Sequence, residues 1–234
     1  MSVVAADVTT ALERVLGEVT AAGGDPERIT VVAVTKGFGP EAPLAALDAG
    51  LVELGENYAQ ELVDKADAVA SAGDRPDPRW HFIGRLQSNK VRLVADRVAC
   101  WQSLDRRSVV DEVARRAPGA RVLIQVNAAA EDGKGGAPIE DAPDLVARAR
   151  DGGLDVAGLM AVGVFGDEAA TEAAFAATAS LADRLDLPER SMGMSGDLAA
   201  AVRSGTTMIR IGTALFGPRP TRGGSRSPRP PVRD

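Results

Sequence analysis

Short apolar runs of strand length alternate with helix-period segments along almost the whole chain, and this alternation constrains the fold more than any other feature. Strand candidates fall at 29–36, around Leu51–Leu54, and at Trp80–Ile83, Val98–Ser103, Arg121–Asn127, Leu154–Met160, Ser191–Met194 and Met208–Gly212. Helical spacing fills the intervals near 41–49, 57–72, 87–95, 106–117, 139–151, 167–186 and 197–204. Strands separated by helices indicate a parallel sheet, and eight of them in 234 residues predict a single α/β domain, a (β/α)8 TIM barrel over residues 1–217. A doubly wound open sheet is the second option. It ordinarily carries a Gly-rich turn after its first strand, whereas here that strand runs into Thr35-Lys36-Gly37 with no G-x-G-x-x-G behind it. Val4, Val8, Leu12, Val15, Leu16 and Val19 predict an additional N-terminal helix, stopped by Gly23-Gly24.

Charge and cysteine content narrow the function classes. The residues after Gly217 carry five arginines and one aspartate, so the net charge of -6 leaves -10 on the rest of the chain. An acidic body is a poor match for a phosphate backbone, and no nucleic-acid partner is expected. The segment 218–234 is rich in Pro, Gly, Ser and Arg, nearly devoid of apolar residues, and expected to be a disordered tail. One cysteine, Cys100, forms no internal disulfide, no run reaches membrane-spanning length, and the N-terminus lacks a signal-type pattern. The expectation is a soluble, cytoplasmic monomer.

Lysines are scarce, four against 23 arginines, and one of them, Lys36, closes the apolar strand Ile29-Thr30-Val31-Val32-Ala33-Val34-Thr35. An ammonium there has either left the sheet for solvent or is kept as a neutralisable amine of the kind that forms Schiff bases. Two later segments favour the second. Gly193-Met194-Ser195-Gly196-Asp197 follows the seventh strand and Arg210-Ile211-Gly212-Thr213 the eighth, the two places where barrels commonly bind phosphate. Taken singly, Ser195 reads as an N-cap and Gly212 as a turn. Together with Lys36 they describe a site for an aldehyde that carries a phosphate.

The segments V-x-A-V-T-K ending at Lys36, G-E-N-Y-A-Q-E from Gly55, W-H-F-I-G-R-L-Q-S-N-K from Trp80, G-L-M at 158–160, S-M-G-M-S-G-D from Ser191 and R-I-G-T-A-L-F-G from Arg210 occur in this order. On these motifs the chain resembles the pyridoxal phosphate homeostasis protein family. The resemblance implies a barrel like the N-terminal domain of alanine racemase, with pyridoxal 5'-phosphate (PLP) as cofactor, held as a Schiff base on Lys36. It further implies that Ser195, Gly212 and Thr213 hold the phosphate, that Arg210 faces the pyridine nitrogen, and that Asn57 points into the same mouth. An N-cap role for Asn57 and a salt-bridge role for Arg210 remain the alternatives. A guanidinium opposite the ring nitrogen disfavours its protonation and makes a weak electron sink, which suits carriage of PLP better than turnover.

Two places depart from the family pattern: the loop 127–136 around Lys134, expected to be flexible, and Ala161-Val162-Gly163, which lacks the usual proline. His81, Trp80 and Trp101 are expected to be core residues and Cys100 a small buried hydrophobe; no metal site and no catalytic residue are expected. Gln87, Asn89 and Lys90 recur in the family with no role that the sequence explains. The reading is a PLP carrier without turnover, exchanging PLP with apoenzymes or free amino acids. A PLP-dependent racemase is the alternative, then a class I aldolase. Racemisation needs a base on each face; in alanine racemase one is a tyrosine from a second domain, this sequence ends where that domain would begin, and its one tyrosine is Tyr58.

Overall fold

The computed structural model describes residues 3–131 and 133–219. Eight parallel strands form its centre: β1 Thr30–Val34, β2 Glu53–Glu56, β3 Arg79–Phe82, β4 Val98–Leu104, β5 Arg121–Asn127, β6 Asp155–Ala161, β7 Glu189–Ser191 and β8 Met208–Ile211. Each pairs with its neighbour in sequence, and β8 pairs back onto β1 with Val32 opposite Arg210, so the sheet closes into the expected barrel. A two-residue strand, Ala137–Pro138, adds to the end of β5.

Helices cover the outside: α1 Ala5–Ala21, α2 Glu41–Asp48, α3 Ala59–Ser71, α4 Ser88–Val94, α5 Arg107–Arg116, α6 Ala142–Asp151, α7 Glu168–Arg184 and α8 Leu198–Arg203, then a single turn, α9 Thr213–Phe216, which periodicity did not reveal. Helix α1 buries Val8, Ala11, Val15 and Val19, one stripe at three- and four-residue spacing, as the sequence predicts. It packs against α2, α8 and α9. The seventh strand differs from its expected span, ending at Ser191 rather than starting there. Glu189 and Arg190 supply its polar half, so an apolar run did not mark it.

Alternation along the strands sorts side chains between two cores. Val31 and Ala33 join the large cluster beneath the helices. The barrel interior holds a much smaller apolar cluster of Cys100, Leu123, Ala157 and Met160. Polar residues take the space beside it: His81, Gln102, Ser191 and Arg210 are all buried. From Pro220 onward the expected tail lies outside the described residues.

Candidate functional site

Lys36 sits two residues beyond β1, held by its neighbours on both sides. Thr35 donates its hydroxyl to Glu56 Oε1 at 2.6 Å, and its carbonyl accepts from Lys65 Nζ at 2.7 Å. Lys65 also ion-pairs with Glu56 at 2.5 Å, both side chains almost fully buried between β2 and α3. On the other side the Gly37 N–H donates to Glu61 Oε2 at 2.9 Å. Helix α3 thus clamps the peptide before and after Lys36, and the strand alternation that carries Thr35 outward turns Lys36 into the barrel mouth.

There it lines a cavity of about 460 Å3 together with Asn57, Ser195, Arg210, Gly212 and Thr213. All six residues singled out from the sequence therefore meet in one cavity. For Asn57, Ser195 and Arg210 the alternative readings fail on geometry. The N-cap of α3 is Tyr58, not Asn57, and that of α8 is Asp197, not Ser195. Arg210 is 4% exposed and makes no ion pair among the described residues. Its guanidinium donates instead to Ser191 O and Ser191 Oγ, each at 2.7 Å, and to Ala161 O at 2.8 Å. Burial lowers its pKa to about 10, partly offset by Asp197, which leaves it charged at neutral pH. Burial, followed by the charges of Arg219 and Arg210, pushes the Lys36 ammonium below the ordinary lysine value against a weaker opposing pull from Glu56. A lysine shifted this way offers more neutral amine near pH 7.

Two glycines shape the walls. Gly193 adopts φ +97°, and a Cβ there would lie 2.6 Å from the Ala201 Cβ, so the turn that carries Met194 and Ser195 to the cavity needs glycine. At Gly84 a Cβ would meet the Asn57 carbonyl oxygen at 2.2 Å; without one, the loop after β3 presses against Asn57. Ser195 Oγ accepts from the Ala214 N–H at 3.3 Å, joining the two loops that follow β7 and β8.

Sequence reading missed Arg219, which lines the cavity and packs over Gly37. It stands in a Pro/Arg-rich segment whose composition marks it only as tail. Lys134, expected in a flexible loop, is tied down: it ion-pairs with Glu131 and donates to Gly163 O at 2.8 Å. His81 is buried as expected, but inside the barrel: Nε2 lies 2.6 Å from Glu53 Oε2 and Nδ1 2.6 Å from Gln102 Nε2. Gln102 Oε1 in turn accepts from Ser191 Oγ at 2.7 Å. Burial pushes the Cys100 thiol up to about 12, consistent with a packing residue. No metal-type cluster of His, Cys, Asp or Glu occurs among the described residues.

Comparison with known proteins shows the family and supports the fold. The family described as alanine racemase, N-terminal domain, matches residues 19–220. A pyridoxal phosphate homeostasis protein of Pseudomonas aeruginosa is 38% identical over 227 residues, 94% of this chain and 97% of that one. The chain belongs to the pyridoxal phosphate homeostasis protein family. Its Escherichia coli K12 member is 35% identical, with 94% of this chain and 98% of that protein covered. Among solved structures, PipY of Synechococcus elongatus, at 29% identity, superposes with a TM-score of 0.79 without PLP and 0.74 with PLP bound; in each case 90% of this chain and all of PipY are covered. No helix among the described residues is long and apolar enough to cross a membrane.

Proposed function

We propose that this protein binds PLP as a Schiff base on Lys36 and serves in PLP homeostasis as a carrier without turnover of its own. The observation that carries the reading is the convergence on one cavity of a half-buried, pKa-lowered lysine, two hydroxyls and a buried, carboxylate-free arginine. The residues fit the cofactor. Three N–H bonds occupy Arg210, leaving donors of its five for a ring acceptor. The buried Asn57 Oδ1 has no hydrogen-bond partner among the described residues. The cavity volume is in the range for small-molecule sites.

PLP supplies an aldehyde that condenses with a primary amine, releasing water. In this reading Lys36 Nζ is that amine, kept partly neutral by burial and by Arg219 and Arg210. Ser195 and Thr213 hold the phosphate through their hydroxyls, with Gly212 letting the backbone approach. Arg210 stays charged and donates towards the ring nitrogen, which disfavours protonation there. The relatives named as homeostasis proteins and the PLP-bound PipY structure support PLP binding and a role in PLP homeostasis. PLP-dependent apoenzymes and free amino acids are the partners it implies, and the cytoplasm, where a lone buried thiol stays reduced, is the compartment. The barrel through residue 217 is the binding unit in this reading, with Arg219 as an addition from the adjoining segment.

Borohydride reduction of the PLP-incubated protein, followed by peptide mass mapping, tests it. Label should appear on the peptide containing Lys36 and vanish in Lys36→Ala. Label mainly on Lys65, Lys90 or Lys134 would overturn the assignment.

A further inference from the structure

Beside the Lys36 cavity lies a second one of about 680 Å3, between the loop after β2 and the start of α4. One part of its wall is apolar: Phe82, Leu86, Leu93 and the ring of Tyr58, a residue 59% exposed. Another is cationic, with Arg85, Lys90 and Arg106. No carboxylate lines it. Arg106 is fixed, donating to Asp105 Oδ1 at 2.5 Å and to Leu86 O at 2.6 Å. Arg85 and Lys90 make no side-chain hydrogen bond or ion pair among the described residues. On the outer surface Arg75, Arg97, Arg121, Arg148 and Arg203 each hold a carboxylate, while Arg14, Arg28, Arg92 and Arg107 hold none among the described residues. A lone unpaired surface cation is ordinary; three facing one concavity in an acidic body focus a positive field. With Asp105 set against Arg106, two charges remain unanswered.

We propose that this groove is a second ligand site, for a small planar dianion: an aromatic ring bearing a phosphate monoester. The apolar wall takes the ring, with Tyr58 free to stack on its face. The arginines and Lys90 take the phosphate, whose charge near pH 7 matches the two unanswered cations. This gives the segment from Arg85 to Lys90 a role that its place in the fold alone does not. Asn57 lines both cavities, so the groove adjoins the Lys36 site. The assignment does not depend on what Lys36 binds.

The test is calorimetric titration of the full-length protein with phenyl phosphate, which has no aldehyde to react with lysine, and with inorganic phosphate. Phenyl phosphate should bind, and Arg85→Ala/Lys90→Ala should weaken that event by roughly tenfold or more, as expected for losing charge-assisted contacts. The melting curve should not move, because neither side chain has a partner to lose. Ser195→Ala should leave the same event in place, whether or not the phosphate loops of the Lys36 cavity also bind. Affinity unchanged in the double variant, or abolished by Ser195→Ala, would overturn the second site. Inorganic phosphate binding as tightly as phenyl phosphate would remove the planar ring from the proposal. Displacement of phenyl phosphate by a Glu-rich hexapeptide at much lower concentration would make the groove a protein-docking surface instead.

Discussion

Gln102 donates its side-chain N–H to Nδ1 of His81 at 2.6 Å in the barrel interior, and this bond sets the direction of a chain that crosses the fold. Arg210 donates to Ser191 Oγ, Ser191 to Gln102 Oε1, Gln102 to His81 Nδ1, and His81 Nε2 to the Glu53 carboxylate. Every bond points the same way, from guanidinium to carboxylate. Against the cost of burial, the hydrogen bond from His81, with Arg79, holds the Glu53 carboxyl below its ordinary value. The arginine at the ligand site is thus held by a line of side chains that ends at the opposite mouth of the barrel.

Gln102→Leu should therefore act at both ends. It leaves the His81 Nδ1 acceptor and the proton of the Ser191 hydroxyl without partners in a buried interior, a loss of about 1–3 kcal/mol for each orphaned group. Urea unfolding should show it. PLP retention should also weaken, because Ser191 no longer has a fixed orientation under Arg210. Unchanged stability would mean that water replaces the amide and that the chain is not a structural unit.

Ser195→Ala separates ligand binding from folding. Its hydroxyl is exposed and supports only the Ala214 N–H, so the barrel should keep its circular dichroism spectrum. Losing one hydrogen bond to a charged phosphate should cost about 1.5–3 kcal/mol of PLP affinity. Arg210→Ala lacks this cleanness, since it also strips the Ser191 and Ala161 carbonyls of a donor.

The pH dependence of Schiff-base formation should report on Arg219. Burial, then Arg219 and Arg210, lower the Lys36 pKa from the ordinary 10.5. Only the neutral amine attacks the aldehyde, so the rate should rise with pH and level off below the ordinary lysine value. Arg219→Ala removes a repelling charge, which raises the pKa, lowers the neutral fraction at pH 7 and slows formation there. Stopped-flow absorbance across pH reads this directly. A profile unmoved in Arg219→Ala would mean that burial and Arg210 set the shift without Arg219.

Lys65→Met should be the most destabilising of these changes. It leaves Glu56 as a fully buried carboxylate with only Thr35 as donor, and breaking one side of a buried pair costs about 3–5 kcal/mol. Glu56→Gln in the same chain should recover part of this in thermal unfolding, as the uncompensated charge is gone. Failure of the second substitution to rescue would place the loss in packing.

The barrel was legible because most of its strands lie in or beside apolar runs between turn signals, and the Lys36 cavity because a strand-end lysine, a serine and a glycine-threonine pair stand at the ends of strands that any such barrel brings together. The interior chain was not. His81 stands between Trp80 and Phe82 and Gln102 between Trp101 and Ser103, so each reads as one polar residue in a buried strand. Which of them meet depends on register around a closed sheet, including the irregularities in β4 pairing, and no local pattern encodes that. Arg219 was hidden for another reason: its position comes from the turn after α9 folding back over Gly37, while its composition matches the segment beyond.

Turnover on amino acids should be absent even where they exchange with Lys36. Racemisation, and other chemistry that moves the α-proton, needs a proton donor or base on the face opposite the lysine. Besides Lys36, the cavity is lined by apolar side chains, amide, hydroxyls, glycines and two arginines; no Asp, Glu, His, Cys or Tyr lines it among the described residues. Tyr58 faces the neighbouring groove rather than this cavity. In the proposed site Arg210, buried and still charged, would disfavour protonation of the ring nitrogen and so weaken the electron sink. Proton washout from L- and D-alanine in deuterated water should therefore stay near the rate of free PLP, and be no faster in the wild type than in Lys36→Ala supplied with PLP. Washout at enzyme-like rates that disappears in Lys36→Ala would make the protein a catalyst, with its second proton carrier to be sought on water held by Asn57 at the cavity mouth.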